Sequence, residues 1–371
     1  MKVLFVQRQP CVRALKYAVS LRAAWPELEL GFAYQGRTLT EFYGTGDELF
    51  DGWWNLGDAA HPTDPLQAVL DEFQPDLVHS HNLPDVLSVL ALGLIDGAIP
   101  LVHDIHDLQS LRATPYRDGF PEPVDPLDLE RAAIEGAAAV ITVSPELVDV
   151  IRARYELPDR TLVLGNLALR RDRVVDLPKR DDAEPPRTVV YEGSLAADGG
   201  HYDLRDAFRG VAAAGLSLAI HPSRLVSEYV DLALENDAIR CHDSLDPATL
   251  MATLPKYDLG WAGFNATLNG AHLDTVLPNK LYEYLGAGLP VITMRDHLAL
   301  SRFVDREGVG VVIDDITGLA EAVRSLDMPA LRRTVAEKRD RYTFEAQVGE
   351  VIALYHDLVG HPTPLGDAVG V

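Results

Sequence analysis

The stretch PNKLYEYLGAGLPVI, residues 278–292, decides how the second half of this 371-residue chain folds. It reads as a helix followed by a buried strand: Pro278 suits the first helical position, Gly288 the C-terminal cap, and Val291 and Ile292 belong to an apolar run. The unpaired N–H groups of the first turn and the helix dipole would favour an anion such as a diphosphate, with Lys280 beside it as a point charge. Glu283 lies one helical turn after Asn279 and faces the same way. The plainer alternative is an amphipathic helix whose Leu281, Tyr284 and Leu285 pack on a sheet, since helix–glycine–strand units are common.

Outward from this segment, short apolar runs alternate with helical patterns from the first residue on. That is the signature of βαβ units, whose parallel sheets are covered on both faces. Strands are expected at 2–6, 28–33, 76–79, 101–104, 140–143 and 161–164, then at 188–192, 216–220, 259–262, 291–293 and 309–313. Helices are expected at 12–24, 83–95 and 145–155, the last with Ser144 as its N-cap. The run RRDRVVDLPKRDDAEPPR, residues 170–187, is charged, contains proline and has no period, so it reads as an interdomain linker. The chain is too long for one ordinary core, and two domains of roughly 150 to 190 residues fit the usual size range. The expected division is an N-terminal domain over 1–170, a linker over 171–187, a C-terminal domain over 188–341, a final helix over 342–360 and a tail over 361–371.

A net charge of −23 argues against nucleic acid and against anionic membrane surfaces, because phosphate contacts need a basic footprint. Apolar residues make up 47% of the chain, with no uninterrupted run near the ~18 residues of a membrane span. The start, MKVLFVQRQP, lacks the form of a signal peptide, and Cys11 and Cys241 are too few for a disulfide framework; both point to a reducing cytoplasm. The pairs His79/His81 and His103/His106 suggest metal ligands, but no Cys or carboxylate completes a set by spacing, so no metal is expected.

In two facing doubly wound domains, a ligand lies beyond the carboxyl ends of the strands. DLVHSHNLPD places His79, His81 and Asn82 at one such end, and LVHDIHDLQS places His103, Asp104, His106 and Asp107 at the next. A lone histidine is more often structural, but a cluster after neighbouring parallel strands points to a site.

With these residues in view, the 278–292 stretch resembles the donor-binding signature of family-four (group 1) glycosyltransferases, many of which carry P-x-K-x-x-E-x-x-x-x-G-x-P-V-I. The resemblance runs over nearly the whole chain. It implies the α/β GT-B fold: two Rossmann-like doubly wound domains with a cleft between them, and a last helix, here in RYTFEAQVGEVIALYHDLVG, that returns to the first domain. It also implies a retaining transfer of sugar from a nucleotide-sugar to a glycan or lipid-linked acceptor. Neither a metal nor another cofactor is implied, and a lipid-linked acceptor would bring peripheral membrane association. Residue by residue, the resemblance puts His106 by the transferred sugar, His81 on the acceptor side with Asp107 in the same cluster, Asn279 and Lys280 on the diphosphate, and Glu283 on the ribose. Asn166, where the family usually reads P-N-G, is expected to be structural.

The departures are specific. VVYEGSLAADGGHYDLRDAF matches the family's G-R-L followed by K-G at Gly193, but Ser194 stands where Arg usually binds the diphosphate and Gly199 where its Lys partner would be. Thr275 takes the place of a second carboxylate. Each charge-assisted contact is worth about 1.5 to 3 kcal/mol, so two losses matter. Either another base compensates, with Arg224 and Arg295 as candidates, or catalysis is weak or absent. Two rivals follow: a silent GT-B protein that scaffolds a true transferase, and a nucleotide-sugar epimerase, which needs acid/base carboxylates in the cleft. Arg8, Arg13 and Lys16 suit either an anionic acceptor or a solvated helix start, and Trp53 and Trp54 either an acceptor platform or domain packing.

Lysine is scarce, with Lys2, Lys16, Lys179, Lys256, Lys280 and Lys338 beside abundant Arg, Asp and Ala; a salt-adapted protein and a GC-rich genome both produce this. Under salt adaptation, stability and activity should rise with molar KCl in thermal melts and assays. Indifference to KCl leaves only the genomic explanation.

Overall fold

The computed structural model describes residues 1–113, 120, 123–177 and 186–360. The expected tail 361–371 and part of the expected linker lie outside the described residues. Within them are two all-parallel sheets. The first joins β1 (Lys2–Gln7), β2 (Glu29–Tyr34), β3 (Gly52–Asn55), β4 (Leu77–His81), β5 (Leu101–Ile105), β6 (Ala139–Thr142) and β7 (Thr161–Val163) in the order β3-β2-β1-β4-β5-β6-β7. The second joins β8 (Thr188–Gly193), β9 (Ser217–Pro222), β10 (Ile239–Cys241), β11 (Leu259–Trp261), β12 (Val291–Met294) and β13 (Gly310–Ile313) in the order β10-β9-β8-β11-β12-β13. Strand order reverses between β1 and β4 and again between β8 and β11. At such switch points the loops part and leave a crevice at the carboxyl ends of the strands.

Burial on both faces explains the strand sequences. In β1, Val3 and Phe5 face one apolar core and Leu4 and Val6 another, and all four are fully buried. The core under Val3 and Phe5 continues through Leu164, Leu167 and Leu169 to Leu281, Tyr282 and Leu285 of the second domain, and takes in Phe344 and Tyr355 of the last helix, Phe344–Val359. That helix lies on the first helix, Val12–Ala24, with Phe344 edge-on to Tyr17 and His356 stacked on Trp25.

The helix read from PNKLYEYLG spans Asn279–Gly286. Pro278 is its extended N-cap rather than its first turn, one place earlier than expected. At the other end Gly288 has φ +76°, its N–H bonds the Leu285 carbonyl, and the Leu289 N–H bonds that of Tyr284. This paired closure requires a left-handed residue, which is why glycine stands there. Ser144 caps the helix Pro145–Arg154 by accepting from the Leu147 N–H. The reading missed β3 and β10, which have four and three residues and sit at sheet edges, too short for alternation to register. Trp53 and Trp54 belong to β3, where Trp53 stacks on Phe32 and Trp54 packs by Phe73; they are packing residues, not a cleft platform. No helix among the described residues is long and apolar enough to cross a membrane.

Arg13 and Lys16, expected to be solvated or free for an acceptor, are 3% and 4% exposed. The Arg13 Nε bonds both Asp104 oxygens at 2.8 and 2.9 Å, and its terminal nitrogens donate to the carbonyls of Leu164 and Gly165 and to Asn166 Oδ1. Tyr17 donates to Asp104 at 2.5 Å. Burial alone would raise the Asp104 carboxyl, yet Arg13 and His79 hold it well below the usual carboxylate range. Breaking one side of a buried pair leaves the other charge uncompensated. Asp104→Ala should therefore cost about 3–5 kcal/mol, read as a lower denaturant midpoint. A loss below about 1 kcal/mol would mean that the pair behaves as an exposed one.

Candidate functional site

The facing carboxyl ends enclose a cleft of about 1580 Å³ lined by both domains. From the first domain come Cys11, Arg13 and Lys16 on or before the first helix, His106 and Asp107 after β5, and Arg112. From the second come Glu192, Gly193 and Ser194 at the end of β8, His201, His272, and Asn279, Lys280 and Glu283 on the helix that opens toward the cleft.

Of the residues singled out in the sequence, His106, Asp107, Gly193, Ser194, Asn279, Lys280 and Glu283 border this cleft, and His81 and Thr275 do not. His81 points into the core of the first domain, 2% exposed and stacked on Phe5 and His79, because in β4 the residues two apart share one covered face. Thr275 is spent on the backbone: its hydroxyl bonds the His272 carbonyl at 2.8 Å, and its own carbonyl accepts from Ser144 of the first domain at 2.7 Å. Arg224 and Arg295 do not border the cleft either, and Arg295 is held by Asp305 and Asp314.

The metal reading from spacing also needs correction. Register places Asp104 of β5 opposite His81 of β4, so a carboxylate does join His79 and His81, with atoms of all three within 4.8 Å of one another. Asp104 is already neutralised by Arg13 and bonded by Tyr17, and His79 bonds the Tyr355 hydroxyl. Burial pushes His79 below its usual value and His81 well below, so both imidazoles are neutral.

Around the first turn of Asn279–Gly286 two lysines and two carboxylates converge. Lys16 reaches across from the first domain to donate to Asn279 Oδ1 at 2.7 Å and to the Asn166 carbonyl at 3.1 Å. Asn166, in turn, donates to the Leu277 carbonyl at 3.0 Å and so ties the domains together. Lys280 donates to the Tyr191 hydroxyl at 2.9 Å and lies over the rings of Tyr191 and Phe264. Burial lowers Lys16 to about 8 against the pull of Glu283, and lowers Lys280 against Glu192 and Glu283. Ser194 is exposed, and the Gly199 N–H bonds Asp203, whose charge Arg205 neutralises. Lys16 brings a second ammonium group to this turn, and it comes from the opposite domain.

Sequence reasoning missed Glu192, Arg112, His201 and His272. Glu192 had a signal, since it immediately precedes Gly193 at a strand end; the others lie on loops and a short helix whose packing no period announces. Residues 38–167 match the family model Glycosyltransferase Family 4, and residues 218–341 match Glucosyltransferase 3-like, C-terminal domain. Each model covers about a third of the chain, and what the chain shares with the solved structures below is the GT-B fold. Its GT-B fold is similar to that of sucrose-phosphate synthase from Thermosynechococcus elongatus (TM-score 0.69, 16% identity, 97% of this chain and 99% of that one). It is similar also to Anabaena HepE, solved with UDP and with UDP-glucose (0.65, 16%, 95% and 100%), and to a glycosyltransferase from Rickettsia africae (0.66, 12%, 97% and 99%). At these identities the likeness is one of fold. No curated protein sequence matches the chain.

Glu192 is 6% exposed, and its Oε1 has no partner among the described residues. Burial, then the neighbouring Glu283, pushes its carboxyl well above the usual range despite Lys280 and Lys16. A carboxyl that holds its proton more tightly folded than unfolded favours folding at pH below its unfolded value and loses that advantage as pH rises through its folded value. Glu192→Gln should therefore raise the melting temperature more at pH 8 than at pH 5. The reverse ordering in paired melts would count against a protonated Glu192.

Proposed function

We propose that this GT-B protein is a retaining glycosyltransferase that moves a sugar from a nucleotide-sugar to a glycan or lipid-linked acceptor. The observation that carries this reading is the convergence of Lys16 and Lys280, from opposite domains, on the first turn of the helix Asn279–Gly286. Backbone N–H groups, a helix dipole and two ammonium groups are suited to the negative charge that develops on a departing diphosphate. Glu283, half-buried on the next turn, is suited to accept hydrogen bonds from ribose hydroxyls. His106 borders the same cleft from the first domain, where the transferred sugar would lie, with Asp107 next to it. The reaction in this reading uses no metal, the donor itself being the substrate, and the setting is cytoplasmic with peripheral membrane association when the acceptor is lipid-linked. The UDP and UDP-glucose bound by HepE make a uridine donor the first to try.

Glu192, Glu283 and Asp107 in one cleft also favour a second reading, nucleotide-sugar epimerisation, since such chemistry needs carboxylates that exchange protons. It is told apart by conversion of the donor with no acceptor present.

A thermal-shift panel with UDP, GDP, dTDP and their sugars tests the donor site. One nucleotide should raise the melting temperature of the wild type, and Glu283→Ala should abolish most of that shift. A folded wild type indifferent to every nucleotide would favour the silent scaffold.

A further inference from the structure

The segment after β2 carries two aromatic rings that the rest of the fold does not cover. In TLTEFYG, residues 38–44, the Thr38 hydroxyl accepts from the Glu41 N–H while the Glu41 carboxylate accepts from the Thr38 N–H, and Gly44, at φ +76°, ends the short helix Leu39–Tyr43. Leu39 is fully buried, and the helix face it begins runs on to Phe42 and Tyr43, past the edge of the core. These two are 44% and 41% exposed, whereas every other described Phe, Tyr or Trp is buried or half-buried. Tyr43 borders the cleft.

The rings lie side by side, with centroids 5.8 Å apart and planes 33° from parallel. The Arg37 guanidinium rests 4.1 Å from the centre of the Phe42 ring. Gln9, just after β1, ties the segment down: its side chain accepts from the Arg37 N–H at 3.1 Å and donates to the Arg37 carbonyl at 3.0 Å. Rings held on a capped and tethered segment have less freedom to lose when a ligand settles on them.

Adjacent exposed apolar side chains rimmed by polar ones mark an interaction surface. The electron-rich face of an aromatic ring suits the C–H bonds of a sugar, whose hydroxyls stay in water. Glu41, Asp47 and Glu48 stand in the same stretch of a chain of net charge −23, and so an anionic bilayer would be repelled. Through Tyr43 the surface is continuous with the cleft, on the side of the first domain and away from His106. Strands β2 and β5, which lead to Tyr43 and His106, are separated by β1 and β4; three steps of about 4.8 Å put the two ends on the order of 14 Å apart. One sugar ring is too short to reach from one to the other, and a chain of them is not.

We propose that Phe42 and Tyr43 form a stacking platform for an oligosaccharide acceptor, holding the sugars behind the one that receives the transferred residue. The inference rests on the glycosyl-transfer reading above and commits its acceptor to a glycan of more than one sugar. It places the aromatic platform here rather than at Trp53 and Trp54, which are spent on packing.

Calorimetric titration of the intact chain tests this with mono- to tetrasaccharides of glucose, galactose, mannose and N-acetylglucosamine, in the presence of UDP, GDP or dTDP. One series should bind, with affinity rising from the monosaccharide to the trisaccharide. Phe42→Ala and Tyr43→Ala should each weaken the trisaccharide about five-fold, with nucleotide affinity and melting temperature unchanged. Phe42→Tyr and Tyr43→Phe keep the rings and should bind as the wild type does. Affinity that does not grow with length, a trisaccharide indifferent to both alanine variants, or no binding in any series overturns the platform and leaves the donor site standing. So does capture on phosphatidylglycerol vesicles, or a dimer in sedimentation, that Phe42→Ala abolishes, since either gives the face another occupant. A folded wild type that binds none of the three nucleotides overturns the transfer reading and the acceptor role with it.

Discussion

The cleft-facing side of the first domain depends on the buried pair of Arg13 and Asp104. A guanidinium and a carboxylate withdrawn from water are each expensive, and their mutual attraction offsets that expense only when the remaining donors and acceptors are satisfied. Here they are: Arg13 spends its other donors on the Leu164 and Gly165 carbonyls and on Asn166, and Asp104 takes the Tyr17 hydroxyl as well. The pair thus pins the first helix to β5 and to the segment that leads out of the domain. Lys16 is one helical turn beyond Arg13, so its reach toward Asn279 is set by the same anchor. Asn166 joins both ends, accepting from Arg13 and Lys16 on one side and donating to Leu277 on the other.

Placing one cation in each domain changes what an anion in the cleft would experience. Two bases on one domain would hold a diphosphate whatever the separation of the halves. With Lys16 in one domain and Lys280 in the other, their joint attraction for an anion would depend on how closely the domains approach. In the proposed reading, the charge absent at Ser194 and Gly199 is supplied from across the domain boundary. Glu283 sharpens this, because it attracts the same lysines when no anion is bound.

The sequence was most legible where local chemistry decides the outcome. The helix after Pro278 and its left-handed stop at Gly288, the cap at Ser144, and the strands buried on both faces all carry their reason within a few residues. What could not be read depended on register or on the other domain. Asp104 meets Arg13 across 91 positions of chain, and β4 could present His81 to the cleft or to the core with the same letters. Pairing put it in the core. His272 and Asp107 belong to different domains, and no spacing announces a contact made only when two folded units close on one another.

The helix Phe344–Val359 carries a consequence for how the molecule is made. Phe344 against Tyr17, Tyr355 on His79 and His356 on Trp25 complete the interior of the first domain with residues from the far end of the described chain. Synthesis runs from the N-terminus, and domains generally fold in the order in which they emerge. This one emerges missing part of its own interior, and its missing wall leaves the ribosome only after the second domain has been translated. Until then the apolar flank of the helix Val12–Ala24 is bare, so a nascent chain stalled before Phe344 exposes a surface that chaperones recognise.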